Sequence, residues 1–394
     1  MPPRRDTSWA LDTATWKPRN LDLEISGHCN LHCKFCYLEK LDRARRGHMS
    51  MEVAEQVLQY IALLAGSLPK NRHISICLFG GEPFLNFPVM KYIIEEADKR
   101  GLPTGRAVMT NGATATPEQI KWCQKHRVIS KRSTAGCPES AATTRPGPYM
   151  DRYHAETKLW NDYHRPRRVC IIPENAKYIM DNVRYFYRLG YWGMLDFATD
   201  DYADWSDEQM EVYKDQTMRL AREFVRQFHM GHIMGNEVLQ LYGKKMFKHG
   251  MTMTMGCGGG WGLQGITWDG YLQMCHRALG EPHDSPLCGG KLSDVLAGKP
   301  ATFGQVLREH IYATANRQER PECRSCVARQ VCQHGCRHLS WACFKDLNKT
   351  PRIRCEFTKH WRRLASWVHS QLGMFDPPWY ERRPTRCAPI PDNA

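Results

Sequence analysis

Three cysteines near the start of the chain constrain its fold more than any other feature. Cys29, Cys33 and Cys36 form a Cys-x3-Cys-x2-Cys run directly after a strand candidate at residues 21–26. Three thiolates on one short loop can bind three irons of a [4Fe–4S] cluster, which leaves the fourth iron without a protein ligand. Such an open iron can bind a substrate or a cofactor, as open positions in catalytic metal sites do. The alternative is a zinc site with a neighbouring histidine as its fourth ligand.

The cysteine content favours metal binding over a disulfide scaffold. The chain has 17 cysteines among 394 residues, an odd number, and they are clustered. The N-terminus lacks the apolar segment of a secretory signal, and no apolar run is long enough to span a bilayer. We therefore expect a cytoplasmic protein without a membrane partner, in a compartment where thiols stay reduced.

The formal net charge of +14 indicates an acidic partner or substrate. A solvated basic surface is the simpler interpretation, and thiolate clusters would offset part of the charge. No RNA- or DNA-binding motif is present, so we do not expect a nucleic-acid partner. An acidic peptide or a small anionic molecule fits the charge better.

Short β-rich runs alternate with helical patterns over the first half of the chain. The strand candidates span residues 21–26, 73–79, 106–110, 127–130, 168–172 and 194–199, and the helix candidates between them span residues 50–64, 87–99, 116–125 and 176–189. Strands separated by helices form βα units with a parallel sheet. Six such units are too few to close an eight-stranded barrel. The predicted fold class is therefore α/β, a partial (β/α)6 TIM-type barrel with a C-terminal cysteine-rich domain.

Unusual residues follow the predicted strands where chemistry is expected in βα barrels, at their carboxyl ends. The cysteine loop follows the first strand, and a Gly-Gly-Glu-Pro sequence at residues 80–83 follows the second. Thr110, Asn111 and Gly112 follow the third strand, and Ser130 ends the fourth. The sequence thus predicts one site at this edge of the sheet.

The cysteine run, with an aromatic residue before its third cysteine, and the motifs after it resemble those of the radical S-adenosylmethionine (SAM) superfamily. The resemblance implies that the open iron binds SAM and that an electron from the reduced cluster splits it. The products are methionine and a 5′-deoxyadenosyl radical, which takes a hydrogen atom from the substrate. The resemblance assigns cofactor binding to Phe35, Gly80, Gly81, Glu82, Pro83, Asn111 and Ser130.

One stretch departs from the superfamily pattern. Relatives commonly follow the serine of the fourth strand with an apolar residue and Asp-Gly, whereas Lys131 and Arg132 follow Ser130 here. We therefore expect Arg145, further along the chain, to bind the SAM carboxylate.

The C-terminal cysteines resemble the seven-cysteine pattern of SPASM domains, which bind two auxiliary [4Fe–4S] clusters. The resemblance assigns one cluster to Cys323, Cys326, Cys332 and Cys355, and the other to Cys257, Cys275 and Cys336. For the fourth ligand of the second cluster, Cys288 and an open iron remain alternatives. A pair of zinc sites is the alternative for the whole region.

The predicted domains are an N-terminal arm (1–19), the radical SAM partial barrel (20–240), the SPASM domain (241–365) and a loosely packed tail (366–394). Few residues precede the first strand, too few to fold the leader-binding module of many peptide-crosslinking relatives. We therefore expect any leader recognition to need a separate protein.

SPASM-containing relatives often oxidise peptides or proteins, so the predicted function is oxidative modification of a peptide or protein. A small-molecule dehydrogenase or epimerase in sugar or natural-product biosynthesis is the alternative, because the positive stretch 131–145 suits an anionic substrate. A non-catalytic zinc or iron–sulfur protein is a second alternative. The resemblance also implies an electron donor such as flavodoxin or ferredoxin.

Two residues are candidates for catalysis. His276 stands where sulfatase-maturing relatives have an aspartate base, and a role beside a cluster is its alternative. Cys137 follows Lys131 and Arg132, which would lower its thiol pKa and suit hydrogen-atom donation; an incidental cysteine is the alternative. Cys77, Cys123 and Cys170 lie in apolar patterns and are predicted to be core residues.

Overall fold

A computed structural model describes residues 18–40, 46–69, 71–145, 158–160, 167–247, 258–260, 262–302, 321–329, 331–332, 335–373 and 377–390. The first six strands are parallel and lie next to one another in chain order. They are β1 Asn20–Ser26, β2 Ile74–Gly80, β3 Thr104–Thr110, β4 Ile129–Thr134, β5 Arg167–Ile171 and β6 Leu195–Thr199. This arrangement confirms the predicted α/β class with a partial barrel of parallel strands.

The sheet continues into the C-terminal part of the chain. β7 (Leu263–Ile266) pairs in parallel with β1, and β8 (Tyr271–Gln273) and β9 (Cys288–Lys291) extend the sheet in antiparallel order. The nine strands follow the order β6-β5-β4-β3-β2-β1-β7-β8-β9. The cysteine loop after β1 therefore lies between the barrel strands and the cysteine-rich part of the chain.

The described helices flank and extend this sheet. They are α1 Met51–Ala65, α2 Phe87–Lys99, α3 Pro117–Lys125, α4 Pro138–Thr144, α5 Ile179–Arg188, α6 Asp207–His229, α7 Glu237–Phe247, α8 Leu292–Leu296, α9 Pro321–Arg324, α10 Arg337–Phe344 and α11 Arg352–Leu372. The helix starts follow sequence signals, since the side chains of Ser50, Thr116 and Ser206 each accept a backbone N–H of the first turn. Among the described residues, no helix has the length and apolar character that a membrane span needs.

Apolar side chains between sheet and helices form the core that holds the strand ends in place. Leu21, Leu23 and Ile25 of β1 are fully buried, and they pack in one cluster with Leu58 and Ile61 of α1. Full burial of each such side chain stabilises the fold by about 1.5–3 kcal/mol. The remaining side chains of the strands are therefore free to face the inside of the barrel.

The segment after α11 contacts the helices through a few of its residues. Trp379 is fully buried against Phe224 of α6. Thr385 and Ile233 exchange hydrogen bonds of 2.9 and 2.8 Å, and Gln227 bonds the backbone of Ala388. Within residues 377–390 only Trp379 and Tyr380 are buried, so the loosely packed tail stays a prediction, and these two residues are anchored in it. Its prolines suggested an irregular chain, and the chain is irregular, but Trp379 and Tyr380 belong to the same buried cluster as Phe224 of α6.

Candidate active site

A cavity of about 720 Å³ lies inside the curve of the six parallel strands and reaches the cysteine loop. Its walls come from β1 to β6, from the cysteine loop and from the turn after β8. Residues on alternate positions of a strand face the same side, so each strand contributes every second side chain to the cavity. The cavity is large enough for a small cofactor and part of a substrate.

The three cysteines of the loop converge on this cavity. Cys29, Cys33 and Cys36 all line it. Burial raises the pKa of Cys29 to about 11, and the charges of Glu82, Cys33 and Cys36 add to the rise. The Cys29 sulfur accepts weak hydrogen bonds from Leu31 N at 3.5 Å and Asn111 Nδ2 at 3.7 Å. Thiolates at this site would repel one another and would also lose hydration. Bound iron would offset both costs, because its positive charge stabilises the thiolates as ligands.

The donor set fits an iron–sulfur cluster with one open iron, because the loop presents three thiols at a cavity wall. No group of three or more His, Cys, Asp or Glu side chains within the described ranges is arranged to hold a single metal ion.

Two glycines let the end of β2 approach the cysteine loop. Gly81 N donates to Ser26 O at 2.7 Å, and the next amide donates to His28 O at 2.8 Å. A Cβ atom on Gly81 would lie 2.3 Å from His28 O, and one on Gly80 would lie 2.2 Å from Ser26 O. Both glycines line the cavity. Only glycine allows this contact between two backbones.

Glu82 holds two strand ends together. Its carboxylate accepts hydrogen bonds from Thr110 Oγ1 and Asn111 N, both at 2.9 Å, and from Phe84 N at 3.2 Å. The side chain is fully buried, and burial raises its pKa despite these bonds. Among the described residues around the cavity, Gly80 and Gly81 form the wall, while Glu82 and Pro83 lie behind it. Glu82 therefore positions the wall, rather than reaching into the space expected for SAM.

Asn111 lies where these two motifs meet. Its side-chain Nδ2 donates to Asn30 Oδ1 at 2.8 Å, and its Oδ1 accepts from Ala113 N at 3.0 Å. Both Thr110 and Asn111 line the cavity. The structure thus brings the end of β3 against the cysteine loop.

The fourth strand is longer than predicted, and this changes which serine faces the cavity. β4 continues to Thr134, and Ile129, Lys131 and Ser133 line the cavity. Ser130 is buried on the opposite side of the strand. The serine at the end of the strand that lines the cavity is therefore Ser133, whereas the sequence pattern had placed the strand end at Ser130. With this register, Ala135 before Gly136 stands where relatives commonly have the aspartate.

Arg145, Ser133 and Phe35 form one wall beside the cysteine loop. The Arg145 guanidinium bonds the carbonyl oxygen of Ser133 at 3.0 Å and also its hydroxyl. It lies 5.3 Å from the centre of the Phe35 ring. Lys34 N bonds Thr144 O at 3.1 Å, which attaches the loop to the end of α4. All three wall residues line the cavity, so an aromatic ring, a hydroxyl and a cation are available to a ligand.

His276 forms the opposite wall with a carboxylate partner. Its Nδ1 lies 3.0 Å from Asp22 Oδ2, and its ring packs against that of Phe79 with 5.4 Å between centres. Tyr37 OH donates to the backbone oxygen of His276 at 2.9 Å. The imidazole, which is about one-third exposed, lines the cavity together with Asp22.

Cys137 does not line the cavity as the structure describes it. It is buried immediately before α4, where its backbone N bonds Asn182 Oδ1 at 2.8 Å. Burial raises its thiol pKa to about 12. The expected lowering of this pKa is therefore wrong. Lys131 faces the cavity, whereas Cys137 lies in a buried turn where its thiolate would lose hydration.

Two other cysteines do face the cavity. Cys77 of β2 and Cys170 of β5 line it, and burial raises the pKa of each to about 12. Both lie between buried apolar residues in the sequence, which is why they were predicted to be core residues. The signal that could have found them is strand alternation, since each sits at a position opposite to its buried neighbours.

The structure brings four C-terminal cysteines together. Burial raises the pKa of Cys355 to about 11, and the charges of Cys332, Cys323 and Cys326 raise it further. This is the set assigned to one auxiliary cluster. Its donors are four thiols from α9, from the segment before α10 and from α11.

The second auxiliary set is partly described. Cys275 precedes Arg277 by two residues, and Arg277 Nη1 lies 4.0 Å from the Cys336 sulfur. Cys257 lies outside the described residues. Cys288 is on β9, where its sulfur accepts a hydrogen bond from Gly290 N at 3.5 Å. Burial raises the pKa of its thiol, and the charges of Asp269 and Asp284 raise it further.

Comparisons with known proteins agree with this site. Residues 23–131 match a family model described as a 4Fe-4S single cluster domain. The radical SAM cyclopropyl synthase TigE of Paramaledivibacter caminithermalis is 25% identical over 118 residues, 27% of this chain and 25% of TigE. The chain therefore spans about a quarter of the length of that curated relative.

Two solved structures share the fold over most of the chain. That of anSMEcpe with bound AdoMet has a TM-score of 0.72 at 17% identity and covers 91% of this chain and 97% of its own. That of Streptococcus suis SuiB bound to S-adenosylmethionine has a TM-score of 0.58 at 15% identity, with 86% and 77% covered. Further structures show anSMEcpe with a Kp18Cys peptide and SuiB with its precursor peptide SuiA.

The comparisons and the structure agree on the fold of the chain. The chain shares the fold of anSMEcpe and SuiB, a partial barrel of parallel strands. Its N-terminal strands match the 4Fe-4S single cluster model, and part of the chain matches part of the radical SAM enzyme TigE. Its C-terminal part continues the same sheet and is rich in cysteine.

Proposed function

We propose that this chain is an enzyme that reductively cleaves SAM and uses the resulting radical to oxidise a peptide or protein. The observation that carries the proposal is the convergence of Cys29, Cys33 and Cys36 on a cavity built from the ends of parallel strands. The three thiols would hold a [4Fe–4S] cluster with an open iron for SAM. When bound, the cluster and SAM supply a 5′-deoxyadenosyl radical.

The residues around the loop have roles that follow from their chemistry. Phe35 offers a ring face to the adenine, and Arg145 offers a cation to the SAM carboxylate. Ser133 keeps Arg145 in place through two hydrogen bonds. The backbones of Gly80 and Gly81 give the ammonium group a close approach to carbonyl oxygens. Glu82 supports this wall from behind, through the ends of β2 and β3.

His276 is our candidate for the group that takes a proton from the substrate. A proton on Nδ1 would be held by Asp22 Oδ2, 3.0 Å away, and Nε2 would then be the nitrogen that takes the substrate proton. Removal of a hydrogen atom, an electron and a proton amounts to a two-electron oxidation of the substrate. The C-terminal cysteines assigned to auxiliary clusters support an oxidation, because such clusters would accept the electron.

A peptide substrate is supported by the neighbours anSMEcpe and SuiB, whose structures contain peptides. A reduced electron donor of the flavodoxin or ferredoxin type is supported by the net charge of +14, because such donors are acidic.

The charges inside the cavity favour an anionic group on the substrate. Three arginines that line the cavity each form an ion pair with an aspartate. The pairs are Arg106–Asp98, Arg168–Asp196 and Arg277–Asp201. Lys131 faces the same cavity and forms no ion pair with any residue that the structure describes. A small anionic molecule is therefore the second candidate substrate. With such a substrate, Lys131→Met should raise KM more than it changes kcat.

The test is anaerobic reconstitution with iron, sulfide, SAM, a reductant and candidate peptides or anionic small molecules. Mass spectrometry then measures 5′-deoxyadenosine and the change in substrate mass. We expect 5′-deoxyadenosine from the native chain and none when Cys29, Cys33 and Cys36 are replaced by Ala. Cys343→Ala, at an exposed cysteine, is the matched control and should retain activity. Reductive SAM cleavage by the triple variant would contradict the proposal.

A further inference from the structure

Arg277 lies between the cavity and one of the C-terminal cysteines. It follows Cys275 by two residues, in a short helical turn at His276–Ala278. Its side chain is 28% exposed and lines the cavity. The neighbouring His276 faces the same space from the same turn. Arg277 is therefore positioned to influence both the substrate and the sulfur ligands behind it.

A buried carboxylate holds Arg277 in place and leaves it positively charged. Asp201, whose side chain is fully buried, accepts from Arg277 Nη1 at 2.9 Å and from Arg354 Nη1 at 3.3 Å. Burial raises the pKa of Asp201, but the two guanidinium groups outweigh burial and lower it below its ordinary value. Two cations thus share one anion, and this group of three side chains carries a net positive charge.

That charge lies against a sulfur atom. Arg277 Nη1 is 4.0 Å from the Cys336 sulfur, at the outer limit for a hydrogen bond to sulfur. On its other side, the guanidinium lies 5.2 Å from the centre of the Tyr202 ring. The Tyr202 hydroxyl is in turn bonded to His338 Nδ1. Arg277 is fixed from both sides, so its direction toward Cys336 does not depend on a flexible side chain.

We propose that Arg277 is a positioning residue that raises the reduction potential of the auxiliary cluster held by Cys275 and Cys336. Hydrogen bonds to sulfur and nearby positive charge favour the reduced, more negative state of an iron–sulfur cluster. This inference rests on the proposed function, because it takes Cys336 as a cluster ligand.

A raised reduction potential would favour the transfer of an electron from the substrate to the auxiliary cluster. The 5′-deoxyadenosyl radical takes a hydrogen atom from a C–H bond, which leaves a substrate radical. The substrate radical then loses one electron and one proton to become the oxidised product. A cluster held at Cys275 and Cys336 would take up that electron, and its charge would become more negative by one unit. A higher potential makes this transfer more favourable, since the cluster must be a good acceptor and not a donor.

The test is a redox titration followed by electron paramagnetic resonance, in the full chain with Cys29, Cys33 and Cys36 replaced by Ala. Only auxiliary clusters contribute signals in this parent protein. Arg277→Gln should lower the midpoint potential of one auxiliary cluster and leave the other unchanged. Arg277→Lys keeps the charge but loses the planar donor fork, so it should lower the potential less.

The matched control is Arg219→Gln, which removes the same charge from an exposed ion pair on α6 and should shift neither potential. Equal potentials in the parent and Arg277→Gln, with iron content unchanged, would overturn the role of Arg277 alone. A folded parent with no auxiliary iron would overturn the cluster assignment of the proposed function, and this inference with it. If Arg277→Gln loses iron, the midpoint potentials of Arg277→Lys and Arg354→Gln are compared with that of the parent instead. An unshifted potential in both variants contradicts the inference.

Discussion

The amide nitrogen of Glu82 donates a hydrogen bond to the carbonyl oxygen of His28 at 2.8 Å. This contact joins the end of β2 to the beginning of the cysteine loop. The Glu82 side chain makes the next connection, to the end of β3 through Thr110 and Asn111. The loop that carries the three cysteines is therefore shaped by the two strands beside its own.

Gly81→Ala should disturb this joint. The new Cβ would lie 2.3 Å from His28 O and 2.6 Å from His28 C, so the loop backbone has to move. The iron that the loop binds is the difference in iron content between the native chain and the variant in which Cys29, Cys33 and Cys36 are replaced by Ala. We expect Gly81→Ala to lose most of this iron. Gly66→Ala at the end of α1 is the control, because the nearest atoms are 3.6 Å away. Normal iron content in Gly81→Ala would show that the loop tolerates the displacement.

Glu24 should make the protein less stable as the pH rises. Burial raises its pKa from 4.5 to about 8, so between these values the folded chain keeps a proton that the unfolded chain has released. Unfolding then releases a proton, and the free energy of unfolding falls with pH by up to about 1.4 kcal/mol per pH unit. Stability is therefore fully retained below about pH 4.5 and lost progressively up to about pH 8.

Urea unfolding at several pH values measures this dependence. Glu24→Gln should give a flatter curve than the native chain over the same range. Glu52→Gln, at an exposed position of α1, should follow the native curve. Parallel curves for the native chain and Glu24→Gln would show that Glu24 ionises normally in the fold.

Cys137 should be unreactive in the folded protein. With a pKa of about 12, only about one thiol in 10⁴ is ionised at pH 8, and the residue is also buried. Brief treatment with iodoacetamide at pH 8 and peptide mass spectrometry should find Cys343, which is exposed, labelled well before Cys137. Similar rates for the two cysteines would restore the idea of an activated thiol at Cys137.

Trp379→Ala should destabilise the protein by about 3–5 kcal/mol, because it removes a large, fully buried side chain from the contact between the C-terminal segment and α6. Urea unfolding measures the loss. Leu63→Ala, at a residue that is 57% exposed, is the control and should change stability by less than about 0.5 kcal/mol. A small effect of Trp379→Ala would mean that residues 377–390 contribute little to the folded state.

Much of the barrel was predictable because its signals are local. Buried parallel strands are short apolar runs, and the residues after them include glycine, cysteine and polar side chains that strand interiors disfavour. The six strands, the α/β class and the position of the cysteine loop after β1 follow from these signals. The pairing of β1 with β7 does not, because it joins residues far apart in the chain.

The side of a strand that a residue faces was harder to predict. Ser130 and Ser133 differ only in register, and the end of β4 is set by its pairing with β3 and β5. The same holds for Cys77 and Cys170, because alternation assigns them to the cavity side only once the bounds of β2 and β5 are known. A shift of one residue moves a side chain to the other face of the sheet.

The sequence by itself determined the chemistry that this protein can offer: a loop of three thiols, a glycine pair after the second strand and a second group of cysteines near the C-terminus. These depend on residue type and short spacing, which local patterns carry. Only the tertiary structure decided what surrounds that chemistry, including the His276–Asp22 pair and the contact of Arg277 with Asp201 and Cys336. Each of these joins distant parts of the chain, and packing of the whole sheet, not any local preference, brings them within hydrogen-bonding distance.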